Sequence, residues 1–189
     1  MKVPIQKTSA LTIEEFLKLP ETKPASEYID GKIQQKPMPQ GKHSTLQIEL
    51  ASAINQAGKA KKLAYAFTEL RCTFARRSIV PDIAVFEWQR IPLDDNGQIA
   101  NRFKIAPDWT IEILSPEQSA NRVIRKIVFC VNNGTKLGYL VDADDESITV
   151  FQPNCLPEVK EKQDILPVLN VLQNWRLTVE DIFNWLNFS

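Results

Sequence analysis

Two carboxylates stand where apolar strands are expected. Asp82 is followed directly by Ile83-Ala84-Val85-Phe86, and Glu112 lies between Ile111 and Ile113. A charged side chain in an apolar strand is costly to bury unless it is paired or holds a metal. Two such residues in neighbouring strands, followed by a basic segment carrying Arg122, Arg125 and Lys126, suggest a metal site that cleaves phosphodiesters. That reaction needs a water made nucleophilic and a developing negative charge neutralised, and one divalent cation does both. Magnesium or manganese suits the donors: one or two carboxylates and a backbone carbonyl suffice, because magnesium keeps some of its waters. The expected ligands are Asp82, Glu112 and the carbonyl of Ile113. Leu114, two residues beyond Glu112, should project to the same face of the strand.

Other readings exist for the residues nearby. Asp82 follows Pro81 and could simply satisfy a turn. His43, the single histidine, could act as a base, but a histidine so placed more often caps a helix start. Glu69 and Arg71 could line the cleft but read more readily as paired with each other or with solvent, and Lys59, Lys61 and Lys62 as a solvated patch at a helix end. The four tryptophans read as packing residues; Trp109, beside Glu112, is the one on which a base could stack.

The elements that must position these groups follow from pattern. Thr12 with Glu15 fits a capping box, and Ile13, Phe16 and Leu17 continue a short helix that Pro20 ends. Residues 1–10 read as a loose arm. Asp30-Gly31 predicts the turn of a hairpin running from Ser26 to Lys36. Lys42 to Gly58 reads as a helix with Leu46, Leu50, Ala53 and Ile54 inward and Gly58 as its stop. Leu63 to Phe74 alternates as one strand, Arg76-Arg77-Ser78 reads as a turn, and Ile79 to Glu87 as the strand bearing Asp82, in which Pro81 marks the strand start or a bulge. Residues 89–104 form an irregular excursion or small hairpin. A strand from Pro107 to Leu114 carries Glu112. A helix from Gln118 to Asn132 follows, on which Arg122 and Lys126 share a face. Lys136 to Asp142 and Ile148 to Gln152 form a hairpin, a strand is expected around Ile165 to Leu169, and Thr178 caps a final helix. No repeat or linker interrupts the 189 residues, so the expectation is a single domain, 1–189, with an α/β sheet of mixed strand direction.

Composition narrows the class. Twenty-three basic residues balance 23 acidic ones, so no overall basic footprint marks nucleic acid, although a local basic face can coexist with acidic ligands. Cys72, Cys130 and Cys155 form no CxxC pair and read as free buried thiols of a reducing compartment. No apolar run approaches a bilayer span and the N-terminus lacks a signal-peptide core, so a cytoplasmic protein without membrane contact is expected.

The ordered motifs resemble a known superfamily. Pro81-Asp82 followed by Glu112-Ile113-Leu114 is similar to the PD-(D/E)XK, or restriction-endonuclease-like, pattern. More closely, the chain resembles the bacterial Uma-two family of candidate restriction endonucleases. The match rests on Glu27-Tyr28-Ile29-Asp30-Gly31-Lys32-Ile33, His43, Pro81-Asp82-Ile83-Ala84-Val85, Glu112-Ile113-Leu114-Ser115-Pro116 and Gly138-Tyr139-Leu140-Val141-Asp142. The resemblance implies a mixed β-sheet flanked by helices, with an N-terminal helix and hairpin and a C-terminal helix. It implies catalytic roles for Asp82, Glu112, Lys126 and Glu27. Leu114 stands where the superfamily has a lysine that positions the water, and Lys126, on the following helix, falls where the family's relocated lysine is expected. Many relatives carry an aspartate near the start of that helix, where this chain reads Ser119-Ala120-Asn121-Arg122. The implied activity is a magnesium- or manganese-dependent deoxyribonuclease whose partner is DNA. A homodimer is a further expected partner, because enzymes that cut both strands are often symmetric. Two alternatives stay open: a catalytically inactive nuclease fold that binds nucleic acid or a protein, and an unrelated α/β enzyme using its carboxylates for metal-free acid–base work.

Overall fold

The structure is a computed structural model that describes residues 11–116 and 118–188; the expected N-terminal arm, 1–10, lies outside the described residues. Helix α1 (Ile13–Phe16) starts from Thr12, whose side chain and that of Glu15 form the expected capping box. Strands β1 (Ser26–Ile29) and β2 (Lys32–Gln35) pair antiparallel. Their turn residues, Asp30 (φ 51°) and Gly31 (φ 80°), both take the left-handed backbone of the tight turn that matches strand twist.

Helix α2 (Gly41–Gly58) buries Leu46, Leu50, Ala51 and Ile54. Gly58 does end it, but not as a left-handed cap. It sits in the last turn, where an added Cβ would lie 2.6 Å from the carbonyl oxygen of Ala64. Close approach of the next strand, rather than backbone freedom, is what requires glycine here.

The stretch expected to be one strand from Leu63 to Phe74 is two: β3 (Ala64–Thr68) and β4 (Cys72–Phe74), in different sheets. Glu69, at φ 51°, breaks the run. Alternation continues across such a kink, so periodicity alone does not reveal it. The following turn is Ala75-Arg76, both with positive φ, and Arg77 and Ser78 already pair in β5 (Arg77–Ile79). The Asp82 strand is likewise split. Val80-Pro81-Asp82 separates β5 from β6 (Ile83–Glu87), because Pro81 has no N–H to donate to a ladder.

Strand β7 (Trp109–Ile113) pairs antiparallel with β6 and parallel with β8 (Leu137–Asp142). The parallel pair is joined by α3 (Ala120–Asn132), which begins two residues later than expected. Strand β9 (Ser147–Phe151) forms the expected hairpin with β8. The last strand, β10, is Glu158–Glu161 and not the stretch around Ile165 to Leu169; Ile165 makes only one isolated bridge, to Thr178. Helix α4 (Val179–Asn184) ends the fold behind a second capping box, with Thr178 and Asp181.

Among the described residues the strands form two sheets, β2-β1-β5-β4 and β10-β9-β8-β7-β6-β3. Period-two alternation sorts the large sheet's side chains. Ile83, Val85, Trp109, Ile111 and Ile113 join the core with α2 and α4, while Ala84 and Phe86 turn to the small sheet. Thr110 and Glu112 point the other way from Ile111, toward α3. That helix lies close on the sheet: a Cβ on Gly138 would meet Ile127 Cγ2 at 2.4 Å. No helix among the described residues is long and apolar enough to cross a membrane. Cys72 and Cys130 are buried as expected, but Cys155 is exposed on the turn after β9.

Candidate active site

The site forms where the two sheets meet. Asp82 lies in the break between β5 and β6, so its side chain is not committed to either face of a strand. Its Oδ1 is 2.6 Å from Lys36 Nζ. Its Oδ2 accepts the Ile113 N–H at 2.7 Å and is 3.2 Å from His43 Nε2. Its main-chain oxygen accepts from Gln47 Nε2 at 2.8 Å. Burial alone would raise the Asp82 pKa, but Lys36, the His43 hydrogen bond and Lys126 outweigh it and hold the carboxyl well below the usual carboxylate range.

Glu112 is delivered by β7 to the α3 face, where Lys126 is the charged member of a stripe with Val123, Ile127 and Cys130. Lys126 Nζ is 2.7 Å from Glu112 Oε2 and 3.0 Å from Glu27 Oε1. Glu27, from β1, also accepts the Val80 N–H at 2.8 Å. Arg122 stands one turn before Lys126 on α3, as expected, but it and Arg125 are exposed and only Lys126 is buried. Burial opposes the charge on Lys126, yet Glu112, Glu27 and Asp82 raise its pKa above the ordinary lysine value. Glu112 differs. Burial pushes it up to about 8, Lys126 offsets only part of that, and Asp82 and Glu27 add to the rise.

The structure thus brings together all five residues singled out from sequence, Glu27, Asp82, Glu112, Ile113 and Lys126. It adds others that sequence reasoning missed. Lys36 donates to Asp82, to Glu69 Oε1 at 2.8 Å and to the Val80 carbonyl at 3.0 Å. Burial lowers its pKa and Lys126 adds to that, but Asp82, Glu112 and Glu69 more than compensate and leave it raised. A signal for Lys36 was present. The two-residue turn sets Glu27 opposite Gln34, and Lys36, two residues on, falls on the same face. Gln47 holds both Asp82 and Glu69 from α2. Glu69 and Arg71 do not pair with each other: Arg71 is held by Glu21. His43 does not cap α2 but points at Asp82. Trp109 is fully buried against Tyr139, which excludes stacking on a base.

A cleft of about 510 Å³ opens over this cluster, floored by Asp82 and Glu112 and flanked by Lys36, His43, Gln47, Glu69 and Arg71. Lys126 and Glu27 lie behind the floor and outside the lining. Among the described residues no three His, Cys, Asp or Glu side chains are arranged to hold a metal ion by themselves, so a ready-made zinc-type ligand set is absent from them. The donors do fit a hard cation that keeps its waters. Glu112 Oε1 is buried, has no hydrogen-bond partner among the described residues, and belongs to a residue lining the cleft beside Asp82. Four carboxyl groups (Glu27, Glu69, Asp82 and Glu112) face two ammonium groups, so the cluster has acidic groups to spare for a dication, whose charge would favour the ionised form of Glu112. In a strand residue the N–H and C=O point to the same side, so the Ile113 carbonyl also faces Asp82.

Comparison with known proteins gives the family and the fold. The Uma2 family model, described as "Putative restriction endonuclease", matches residues 13–180. A crystal structure of a putative nuclease belonging to DUF820 from Anabaena variabilis ATCC 29413 is similar throughout. It has 53% sequence identity and a TM-score of 0.91, covering 93% of this chain and 99% of that one. No curated protein matches the chain.

Proposed function

The chain belongs to the Uma2 family, a nuclease family with a restriction-endonuclease-like fold, and from that premise we propose that it is a metal-dependent endonuclease hydrolysing phosphodiester bonds in DNA. The observation that carries this reading is the unpartnered, buried Glu112 Oε1 at the floor of a cleft it shares with ionised Asp82. An acceptor left bare in the interior is costly, and a cation seated between the two carboxylates removes that cost. Asp82, Glu112 and the Ile113 carbonyl would hold magnesium or manganese. When bound, the cation polarises the phosphate and lowers the pKa of a water.

The chain's own residues prepare the ground for that chemistry. The Ile113 N–H and His43 fix the rotamer of Asp82, and Gln47 fixes the loop that carries it. Lys126 holds Glu112 in place and is itself held by Glu27, which is tied to the Val80 amide. A carboxylate aimed by such an outer set of contacts keeps its geometry when a ligand arrives. Lys126 makes its contribution through Glu112, because it does not reach the cleft.

One feature favours a second reading, a nuclease fold that binds nucleic acid without cutting it: both carboxylates already carry a lysine. Calorimetric titration with Mn²⁺, and incubation of the loaded protein with DNA, separate the two. The endonuclease reading expects binding and cleavage that Asp82→Asn and Glu112→Gln both abolish. DNA retention with neither Mn²⁺ binding nor cleavage would establish the second.

A further inference from the structure

The site contains two buried ammonium groups, and they are not equivalent. Lys126 is enclosed by Glu27 and Glu112 behind the floor of the cleft. Lys36 lines the cleft itself. Its main chain is fixed where the small sheet ends, its N–H bonded to the Ala25 carbonyl at 2.9 Å, and Pro37 follows directly. Its ammonium sits on Asp82 Oδ1, with Glu69 on the solvent side and the Val80 carbonyl as third acceptor. Those three acceptors use all three of its donors. Asp82 Oδ2 is already engaged by Ile113 and His43, so Oδ1 is the oxygen a divalent cation would take, and Lys36 holds it.

We infer that Lys36 is the substrate-facing cation of the site: it neutralises Asp82 Oδ1 in the free protein and moves onto a non-bridging oxygen of the scissile phosphodiester when a divalent cation takes that carboxylate oxygen. This rests on the endonuclease reading. Two cations cannot share one carboxylate oxygen closely in a buried site without strong repulsion. A flexible four-carbon stem anchored at a fixed backbone lets the ammonium swing from the floor of the cleft into its opening. There it would meet the charge that grows on the phosphoryl oxygens during displacement, where a positioned cation is most effective. Glu69, 45% exposed at the rim, remains as a partner on the outward path.

The test compares wild type, Lys36→Met and Lys36→Gln in two assays: calorimetric titration with Mn²⁺, and Mn²⁺-dependent cleavage of a random-sequence DNA pool. Because the competitor for Asp82 Oδ1 is gone, both variants should bind Mn²⁺ tighter, by roughly tenfold, while cleavage falls by about 10²-fold or more. A residue that merely supports the fold would not tighten metal binding. The Gln variant, one bond shorter than lysine but with an uncharged N–H donor at its end, carries the test if the Met variant does not fold. Variants that cleave like wild type would overturn the role of Lys36 and leave the endonuclease reading standing. Variants that lose Mn²⁺ binding while still folded would also overturn it, making Lys36 a structural support of Asp82. A wild type that neither binds Mn²⁺ nor cleaves would overturn both.

Discussion

Asp82 and Glu112 floor the same cleft, are both buried, and are provisioned in opposite ways. Asp82 has its oxygens met by an ammonium, a backbone N–H and an imidazole, and its charge is strongly favoured. Glu112 has one partner, an oxygen with none, and a pKa pushed up to about 8. The difference shows how two carboxylates of one site can divide the work. Asp82 is a fixed charge whose position is set before any ligand arrives. Glu112 is under-satisfied, and a ligand that brings positive charge gains more there.

The largest effect should come from stripping the well-provisioned side. Asp82→Ala leaves the buried Lys36 ammonium and the Ile113 N–H facing a gap, and should cost about 3–5 kcal/mol of unfolding free energy by urea titration. Loss of under 1 kcal/mol would mean that Asp82 is not the anchor described. Lys126→Met should cost somewhat less, about 3 kcal/mol, because Glu112, whose pKa burial already raises, is left as a neutral acid rather than a bare charge. By contrast Glu112→Gln should change stability by no more than about 1 kcal/mol, since it replaces a group whose charge the site resists.

A pH series sharpens the same contrast. The folded pKa of Glu112, about 8, lies above its ordinary value of 4.5, so the folded protein binds the extra proton. That contribution is complete below pH 4.5 and is lost as pH rises through 8. Stability of the wild type should therefore decline from about pH 5 to pH 8 relative to Glu112→Gln, as read from paired denaturation curves. Parallel curves would show that Glu112 ionises freely. Asp82 has the reverse sign: its folded pKa is depressed, so its stabilisation is present above the ordinary aspartate range and fades only in strong acid. The smallest effect is expected at the rim. Glu21 is largely exposed, so Glu21→Gln, which breaks its pair with Arg71, should cost under about 1 kcal/mol.

Much of this was readable from the chain. The Asp30-Gly31 turn, the Thr12–Glu15 capping box, the Thr178 cap and the β7–α3–β8 crossover follow from local chemistry, and Asp82 and Glu112 stood out as charges in apolar runs. The breaks at Glu69 and at Val80-Pro81-Asp82 were harder. At Glu69 the alternation runs on, and at Val80-Pro81-Asp82 the apolar run continues with only Pro81 to mark the break, while the chain passes to the other sheet; neither pattern carries a record of which sheet a strand joins. Lys36 was missed for a related reason. Its sequence neighbours mark it as the polar end of a hairpin, and only the docking of the small sheet brings it to Asp82. Lys126 was found by resemblance, yet its setting behind Glu112 depends on the tight contact of α3 over Gly138, which no motif records.

The seam between the sheets has a consequence for how the molecule assembles. The Val80 amide is bonded by Glu27 of the small sheet, and the Ile113 amide, in the large sheet, by Asp82 of the crossing segment. Each of these bonds stays beside its own sheet, whereas the Lys126 ammonium of α3, resting on Glu27, joins the two across the seam. In native-state hydrogen exchange Lys126→Met should therefore lower the protection of the Val80 amide, which Glu27 holds, more than that of Val85 or Ile111 in the large sheet. The residues that prepare the chemistry thus double as a gauge of docking between the two halves.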